Sequence, residues 1–453
     1  MELKASYKDI LKIAAPLILA NMISGVGQII DTAFINRVGE KELNGTVIGG
    51  MVWMFFSFIL MGVSSYVQRL IAKKIGEKQE EQVGNIIDNV SVIGVFLLLI
   101  IVALFCVLRF AGLDAMLKDP EIVAYTFEYL DVLILYTPVL IAVSFLSAFF
   151  SAVGKTAVIT RSVIVYIVVN LILDYLLIFG NFGFPKLGVY GSGIATGVAL
   201  TFGCINYLYY MYRYQIIKTY NLFEFNSLSR EKMAHIVLKS VPLVLQNIFN
   251  MLAYWIFFVM IEKMGSAELR VSLIVRSLYL FLCLPVFGLG RAVNTVVSNF
   301  IGRKDVGNLG TAIRKSHQVA LGIGAILCAL VYFFPTILLN IYTNDIELIN
   351  EAIPILNVLI VSLFLFSVST VNTNIIIATG KTSFVFVTGV VSIVGYLAFA
   401  YVSIFIWNEE LPFIWLSDWA NWSIFTVMSS LYILIWWKKQ KDVFIKSKIS
   451  LAE

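Results

Sequence analysis

The chain has 453 residues, of which 60% are hydrophobic and only 13% are charged. Soluble domains contain about 45–50% apolar and about 25% charged residues, so this composition excludes a soluble protein. The net charge of +5 is too small to indicate a nucleic-acid-binding protein, and the two histidines and four cysteines form no cluster with metal-ligand spacing.

Long apolar stretches dominate the chain. A membrane-spanning helix needs about 20 mostly apolar residues, and twelve stretches meet this requirement. Spans 1 to 12 are predicted over Ile10–Ile35, Thr46–Leu70, Ile86–Leu108, Ile122–Phe150, Ala157–Phe179, Gly191–Tyr212, Ile236–Ile261, Val271–Val297, Ser316–Ile341, Ile346–Ile377, Ser383–Ile406 and Phe413–Trp437. Continuous apolar runs are typical of helices, because barrel strands alternate in polarity. We therefore predict an all-α polytopic membrane protein.

The distribution of basic residues predicts the orientation of these spans. The loops on one side of the membrane carry about three quarters of the Lys and Arg residues, and the positive-inside rule places that side in the cytoplasm. Both termini are then cytoplasmic, as an even number of spans requires. Span 1 is too long and too polar for a cleaved signal peptide. We expect a multi-pass protein of the cell membrane.

The chain repeats itself at one constant offset, which is the separation of Pro16 from Pro242. The other matching positions are Asn21 and Asn247, Gly39 and Gly265, Gly62 and Gly288, Asp119 and Asp345, and Gly154 and Gly380. Each repeat contains six spans, which predicts two pseudo-symmetric six-helix lobes. We predict an N-terminal lobe over residues 1–214, a cytoplasmic linker over 215–240 and a C-terminal lobe over 241–453. Such duplicated bundles are typical of alternating-access transporters.

Two carboxylates lie well inside the predicted spans, Asp31 in span 1 and Asp174 in span 5. Asn170 lies one helical turn before Asp174 and shares its helix face. Counting along each span places these three residues and Thr196 of span 6 at one depth, in the outer third of the membrane. Ionisable groups inside a bilayer are costly and indicate function. We predict that these four residues bind the coupling ion, H⁺ or Na⁺.

A polar stripe in span 1 accompanies Asp31. Asn21, Ser24 and Gln28 precede it at spacings that place all four residues on one helix face. One interpretation is that the stripe lines a water-filled cavity. The alternative is that these groups only form hydrogen bonds with neighbouring helices.

The second repeat lacks the acidic residues. At the repeat offset, Phe257 corresponds to Asp31, Tyr396 to Asn170 and Ala400 to Asp174. The scaffold was therefore duplicated without its carboxylates. We expect ion coupling in the N-terminal half alone.

Four further charged residues lie near the ends of spans. Glu128 and Asp131 are expected at the outer interface, or else as an extension of the acidic cluster. Arg276 and Arg291 are expected at the interface or as anchors between the lobes.

These features together resemble the multidrug and toxic compound extrusion (MATE) transporters. The resemblance covers essentially the whole chain and depends on the order and spacing of several loose motifs. They are Pro16 followed by Asp31-Thr32 and Gly39, Gln68 to Gly76, Ala152 to Lys155, Asn170-x-x-x-Asp174 followed by Phe179-Gly180, and Gly191 to Thr196.

The resemblance implies export of drugs or organic cations by antiport with H⁺ or Na⁺. In relatives with an acidic site in the N-terminal lobe, the matching positions Asp31, Asn170, Asp174 and Thr196 carry the coupling. The matching proline, Pro16, is linked there to bending of helix 1, and a proline bend is also expected physically. The resemblance implies a small amphipathic or cationic substrate, a functional monomer, no cofactor and no enzymatic activity.

The sequence departs from the family pattern in two places. Tyr175 stands where many relatives have proline after the helix 5 aspartate. Other branches carry acidic residues in helices 7 and 10, where this chain has Gln246, Asn247, Asn250 and Asn357 but no central carboxylate.

Two other functions fit the sequence less well. A flippase for a lipid-linked saccharide or a phospholipid needs a basic central cavity, whereas the basic residues here lie mostly at the inner face. An intramembrane enzyme needs a cluster of His, Ser or metal ligands, which the sequence does not contain.

Overall fold

The structure is a computed structural model, which describes residues 3–111 and 119–449. The described residues contain helices and no strands. The helices of the first half are α1 (Tyr7–Asn36), α2 (Glu40–Gly76), α3 (Gln82–Ala111), α4 (Pro120–Leu135), α5 (Thr137–Ala152), α6 (Thr156–Leu177), α7 (Gly188–Arg213) and the short α8 (Ile216–Tyr220). A turn of 3₁₀ helix, Asn181–Gly183, lies between α6 and α7.

The second half repeats this order. Its helices are α9 (Arg230–Glu262), α10 (Ser266–Arg303), α11 (Val306–Phe333), α12 (Pro335–Leu339), α13 (Ile346–Thr379), α14 (Thr382–Phe405), α15 (Leu411–Ile414) and α16 (Ser417–Ile449).

The predicted fold class is confirmed. Ten of the described helices are long and apolar enough to cross a membrane. The pair α4 and α5 forms a further broken span with a bend of 59°, and α16 covers predicted span 12. The break follows from Pro138 in the first turn of α5, because proline has no backbone N–H to continue the helical ladder.

The repeat is visible in local geometry as well as in sequence. Asp119 caps α4, and its side chain accepts a hydrogen bond from the Glu121 backbone N–H. Asp345, its counterpart in the second repeat, caps α13 and accepts from the Glu347 backbone N–H. These matching N-caps, separated by the repeat offset, indicate that the two halves have the same local structure at this helix start.

The described residues form two compact units. Unit N comprises Leu19–Leu238, and unit C joins the chain up to Ile18 to the residues from Lys239 onward. The predicted N-terminal lobe differs, since it included residues 1–18. These residues group with unit C because long-range contacts hold them there. The Arg303 guanidinium donates to the Leu3 carbonyl at 2.8 Å, and the Lys315 ammonium donates to the Ala5 carbonyl at 2.8 Å.

The predicted linker also differs from the structure. Helix α9 begins at Arg230, so the last part of the segment 215–240 is helical. Its charged residues form an ordinary first turn after Ser229, whose hydroxyl accepts from the Lys232 backbone N–H at 3.4 Å. Polar composition indicated a linker here, although a helix can extend beyond the apolar part of a span.

Candidate cation site

The two carboxylates predicted from the sequence lie together in unit N. Asp31 is near the end of α1 and Asp174 near the end of α6, and their carboxyl groups lie within hydrogen-bonding range of each other. Ser192, in the second turn of α7, interacts electrostatically with Asp31, and its buried hydroxyl has no hydrogen-bond partner. Helices α1 and α6 approach closely one turn before Asp31, because Gly27 leaves room for the Ile167 side chain.

The buried oxygen atoms of this site lack hydrogen-bond donors. Asp174 is 0% exposed and Asn170 is also buried, whereas Asp31 is half-buried. Both Asp174 carboxylate oxygens, Asp31 Oδ1 and Asn170 Nδ2 are buried without a hydrogen-bond partner. Two facing carboxylates are both acceptors, so they cannot satisfy each other unless a proton or a cation lies between them.

No positive side chain in the described part of the chain pairs with either carboxylate. Within residues 3–111 and 119–449, neither Asp31 nor Asp174 forms a salt bridge. Two adjacent negative charges in a medium of low dielectric constant repel strongly, so both carboxylates cannot be ionised without a counter-ion. The arrangement can therefore hold a proton between the two carboxyl groups, or a small hard cation bound by oxygen ligands.

Two tyrosines that were not predicted from the sequence also belong to this site. The hydroxyl of Tyr129, on α4, lies within hydrogen-bonding range of Thr196, and Tyr129 interacts electrostatically with both aspartates. Tyr166 interacts with both aspartates as well. The spacing of four residues before Asn170 could have indicated Tyr166. Nothing in the sequence connects Tyr129 to the site, because helix packing alone brings α4 there.

The remaining predicted residues vary in their burial. Thr196 is buried on α7 beside Tyr129. In the polar stripe of α1, Asn21 and Ser24 are half-buried and Gln28 is exposed. Their role in lining a cavity stays a prediction.

Pro16 lies inside the continuous helix α1, within the part that belongs to unit C. The bend at this position stays a prediction as well.

Glu128 and Asp131 lie outside the acidic pair. Asp131 is exposed, and its Oδ1 atom is 3.7 Å from Arg109 Nε. Glu128 Oε1 accepts a hydrogen bond of 3.2 Å from the Tyr190 backbone N–H in the first turn of α7. Neither contact involves Asp31 or Asp174, and the interfacial location of both residues stays a prediction.

One of the two expectations for Arg276, an anchor between the lobes, is wrong. Arg276 is buried inside unit C and pairs with Asp418 of α16 in the same unit, whereas its location near the membrane interface stays a prediction. The interpretation of Asp31 and Asp174 as the two carboxylates inside the spans is therefore incomplete. Asp418 stands near the start of span 12 in sequence, but α15 and the loop after it cover this end of α16, where Trp415 is fully buried.

The positions in unit C that correspond to the acidic pair form an aromatic cluster. Phe257 and Tyr396 stack with their ring centroids 5.3 Å apart, and Ala400 is fully buried. Among the described residues, no group of three or more His, Cys, Asp or Glu side chains could hold a metal ion.

Curated relatives of this chain are bacterial multidrug resistance proteins by name. The chain is 24% identical over 350 residues to a probable multidrug resistance protein NorM of Listeria innocua, with 76% of each chain covered. It is 25% identical over 406 residues to the probable multidrug resistance protein YoeA of Bacillus subtilis, with 88% of this chain and 84% of the relative covered.

Solved structures share the fold. One is described as the outward-facing conformation of a multidrug resistance MATE family transporter of the MOP superfamily. It superposes with a TM-score of 0.86 at 17% sequence identity and covers 96% of each chain.

The sequence profile of the MatE family matches this chain twice, over residues 16–176 and 242–402. Both ends of the second match lie at the repeat offset from the ends of the first, so the profile detects the same duplication as the sequence pattern. Together the two matches cover more than half of the chain. This chain is therefore a multi-pass membrane transporter that belongs to the MatE (MATE) family.

Proposed function

We propose that this transporter exports small amphipathic, often cationic, compounds in exchange for H⁺ or Na⁺. The observation that carries the proposal is the pair of carboxylates Asp31 and Asp174, three of whose oxygens are buried without a hydrogen-bond partner and which form no salt bridge among the described residues. The names of the relatives as multidrug resistance proteins support the substrate class.

The coupling ion is bound by the same atoms in either case. A proton would be shared between the Asp31 and Asp174 carboxyl groups and would remove one of the two negative charges. A Na⁺ ion would be held by the carboxylate oxygens together with the neutral oxygens of Asn170, Thr196 and Ser192. Because Asp31 is half-buried and Asp174 is fully buried, the ion enters and leaves on the side of Asp31.

The available driving force is sufficient for uphill export. One unit charge that crosses a membrane at 100 mV releases about 2.3 kcal/mol, and one pH unit adds about 1.4 kcal/mol per proton. One or two such ions would support a substrate gradient of about two to four orders of magnitude.

Antiport requires that the ion and the substrate oppose each other in binding. An ion that neutralises the acidic pair stabilises one conformation, and the substrate must be released in that conformation. The two binding free energies are then negatively coupled, and the coupling is reciprocal.

The test is transport by purified protein in liposomes under an imposed gradient of H⁺ or of Na⁺. Asp31→Asn and Asp174→Asn each remove a negative charge with little change in shape. Each variant is expected to reduce gradient-driven substrate transport to the level of protein-free liposomes. The gradient that drives wild-type transport identifies the ion.

Asp131→Asn is the matched control, because it makes the same chemical change at an exposed carboxylate that pairs with Arg109. It should transport like the wild type. If Asp31→Asn exported as fast as wild type under the driving gradient, the acidic pair would not be the coupling site. Gradient-independent movement of a fluorescent lipid would instead support a flippase.

A further inference from the structure

Unit C contains a buried ion pair far along the chain from the acidic pair of unit N. Arg276 is 4% exposed and Asp418 is 1% exposed. Arg276 Nη1 lies 3.4 Å from Asp418 Oδ2, and Arg276 Nη2 donates to the Tyr396 hydroxyl at 3.3 Å. Arg276 Nε and Asp418 Oδ1 are buried without hydrogen-bond partners. The pair therefore has a single long contact rather than the two short parallel bonds that arginine and a carboxylate usually form.

Aromatic rings enclose the guanidinium group. All four ring centroids lie within the range of about 6 Å in which a cation is attracted to a ring face. The distances from Arg276 Cζ are 4.5 Å to Tyr254, 4.7 Å to Trp415, 5.5 Å to Tyr279 and 5.8 Å to Phe257. A cage of rings with one carboxylate beside it is the arrangement with which proteins bind guanidinium and alkylammonium ions.

The cage occupies the positions in unit C that correspond to the acidic site in unit N. Three members of the acidic site have counterparts around Arg276 at the repeat offset, and each counterpart contacts the guanidinium. The pairs are Asp31 and Phe257, Asn170 and Tyr396, and Ser192 and Asp418. The charged groups of the two repeats therefore lie among corresponding residues, although no charged residue of one repeat corresponds to a charged residue of the other.

The two sites differ in their charge balance. In unit N, two carboxylates face each other and no basic residue pairs with them among the described residues, so a mobile ion is needed. In unit C, one carboxylate faces an arginine, and the sum of the two charges is zero. The side chain of Arg276 thus supplies the cation that unit N must take from solution.

We propose that the aromatic cage around Asp418 is a second cation site, which the guanidinium of Arg276 fills permanently as a tethered ion. This site explains how one repeat can keep the geometry of a cation site without exchanging ions. When the arginine is shortened, the cage becomes a binding site for a free guanidinium or alkylammonium ion.

The test is chemical rescue in purified, detergent-solubilised protein, and it does not depend on transport. Arg276→Ala empties the cage and leaves Asp418 buried without its counter-ion, so the melting temperature should fall. N-ethylguanidinium at millimolar concentration should raise the melting temperature of this variant by about 3 °C, because it binds only the folded state. The wild-type protein should not respond.

Two controls separate this site from a merely structural salt bridge. N-ethylurea has the shape of the probe without its charge and should give no rise. The double variant Arg276→Ala with Asp418→Asn lacks the carboxylate and should lose the response to N-ethylguanidinium. Equal stabilisation by N-ethylurea, or an undiminished response in the double variant, would overturn the proposal.

A second variant covers the case in which Arg276→Ala does not fold. Arg276→Met keeps the apolar stem and leaves space only at the guanidinium end, so the probe there is guanidinium itself at millimolar concentration. It should raise the melting temperature of Arg276→Met and leave Arg276→Lys unchanged, because the lysine ammonium already fills the cage. The absence of any rise in Arg276→Met, or an equal rise in Arg276→Lys, would contradict the tethered ion.

Discussion

Tyr129 contributes a hydroxyl to the acidic site from α4, whose own carboxylates Glu128 and Asp131 contact Tyr190 and Arg109 instead. Its hydroxyl lies within hydrogen-bonding range of Thr196, and Tyr129 interacts electrostatically with Asp31 and Asp174. A hydroxyl at this place can orient Thr196 toward an ion and can itself donate to an ionised carboxylate. It therefore acts as a positioning group for the ion in the proposed mechanism.

Tyr129→Phe removes this hydroxyl and keeps the ring. A hydrogen bond contributes about 1 kcal/mol net, so the ion concentration for half-maximal transport should rise about fivefold. The maximal rate should change less, since the two carboxylates remain. Tyr125→Phe, one turn earlier on α4 with its hydroxyl beside Glu42, should behave like wild type. An unchanged ion dependence in Tyr129→Phe would exclude this role.

At the scale of the element, the start of α7 positions Ser192 because α6 and α7 pack without a gap. A Cβ atom added to Gly191 would lie 2.8 Å from the Leu177 carbonyl oxygen. That oxygen is backbone at the end of α6 and cannot rotate away, so a larger residue must displace α7. The glycine allows the close contact between these helices.

Gly191→Ala should therefore lower both the melting temperature and the apparent affinity for the coupling ion. Overpacking of this kind typically destabilises by about 1–3 kcal/mol. Gly50→Ala is the matched control, because Gly50 lies in the interior of α2 and an added Cβ would meet nothing within 4 Å. There alanine should be neutral or stabilising. Equal effects of the two substitutions would show that the contact with Leu177 is unimportant.

At the scale of the whole molecule, the segment that joins the two repeats is held against α3. The Asp88 carboxylate accepts hydrogen bonds of 2.8 Å from the backbone N–H groups of Phe223 and Phe225. Asn89 accepts from the Ser229 backbone N–H at 3.0 Å. Gly84 leaves room for the carbonyl of Asn221. These contacts hold the segment between the two repeats against α3, although its polar sequence is typical of an unstructured linker.

Asp88→Ala removes both hydrogen bonds and leaves two backbone N–H groups without an acceptor. Hydrogen bonds to a charged group contribute about 1.5–3 kcal/mol each, so the melting temperature should fall clearly. Limited proteolysis should then cut within residues 221–229 faster than in wild type. Glu224→Ala changes an exposed carboxylate of the same segment and should leave the cleavage rate unchanged. Wild-type cleavage of Asp88→Ala would contradict the anchoring role of Asp88.

The orientation in the membrane is a further property of the whole molecule. The excess of basic residues predicts that both termini are cytoplasmic. A green fluorescent protein fused at the C-terminus should therefore fluoresce in bacterial cells, and an alkaline phosphatase fused there should be inactive. The same phosphatase fused after residue 183, in the predicted external loop, should be active. The opposite pattern would reverse the topology.

Much of the architecture follows from properties that are local in sequence. Apolar runs of about 20 residues predict spans because a bilayer has a fixed thickness, and all twelve predicted spans coincide with helices or with the bent pair of α4 and α5. The acidic pair was also predictable, because residue counts along straight helices give their depth. The structure brings Asp31 and Asp174 together, whereas an ion site that also includes Asn170 and Thr196 stays a prediction.

The sequence by itself determined the class of protein, the repeat and the position of the two carboxylates along their helices, since these depend on composition and on distance along a helix. Only the tertiary structure decided which helices meet. It brought Tyr129 to the acidic pair, Asp418 to Arg276, and the start of the chain to Arg303. Each of these contacts joins residues far apart in the chain, where packing of side chains between helices, rather than any local pattern, selects the partner.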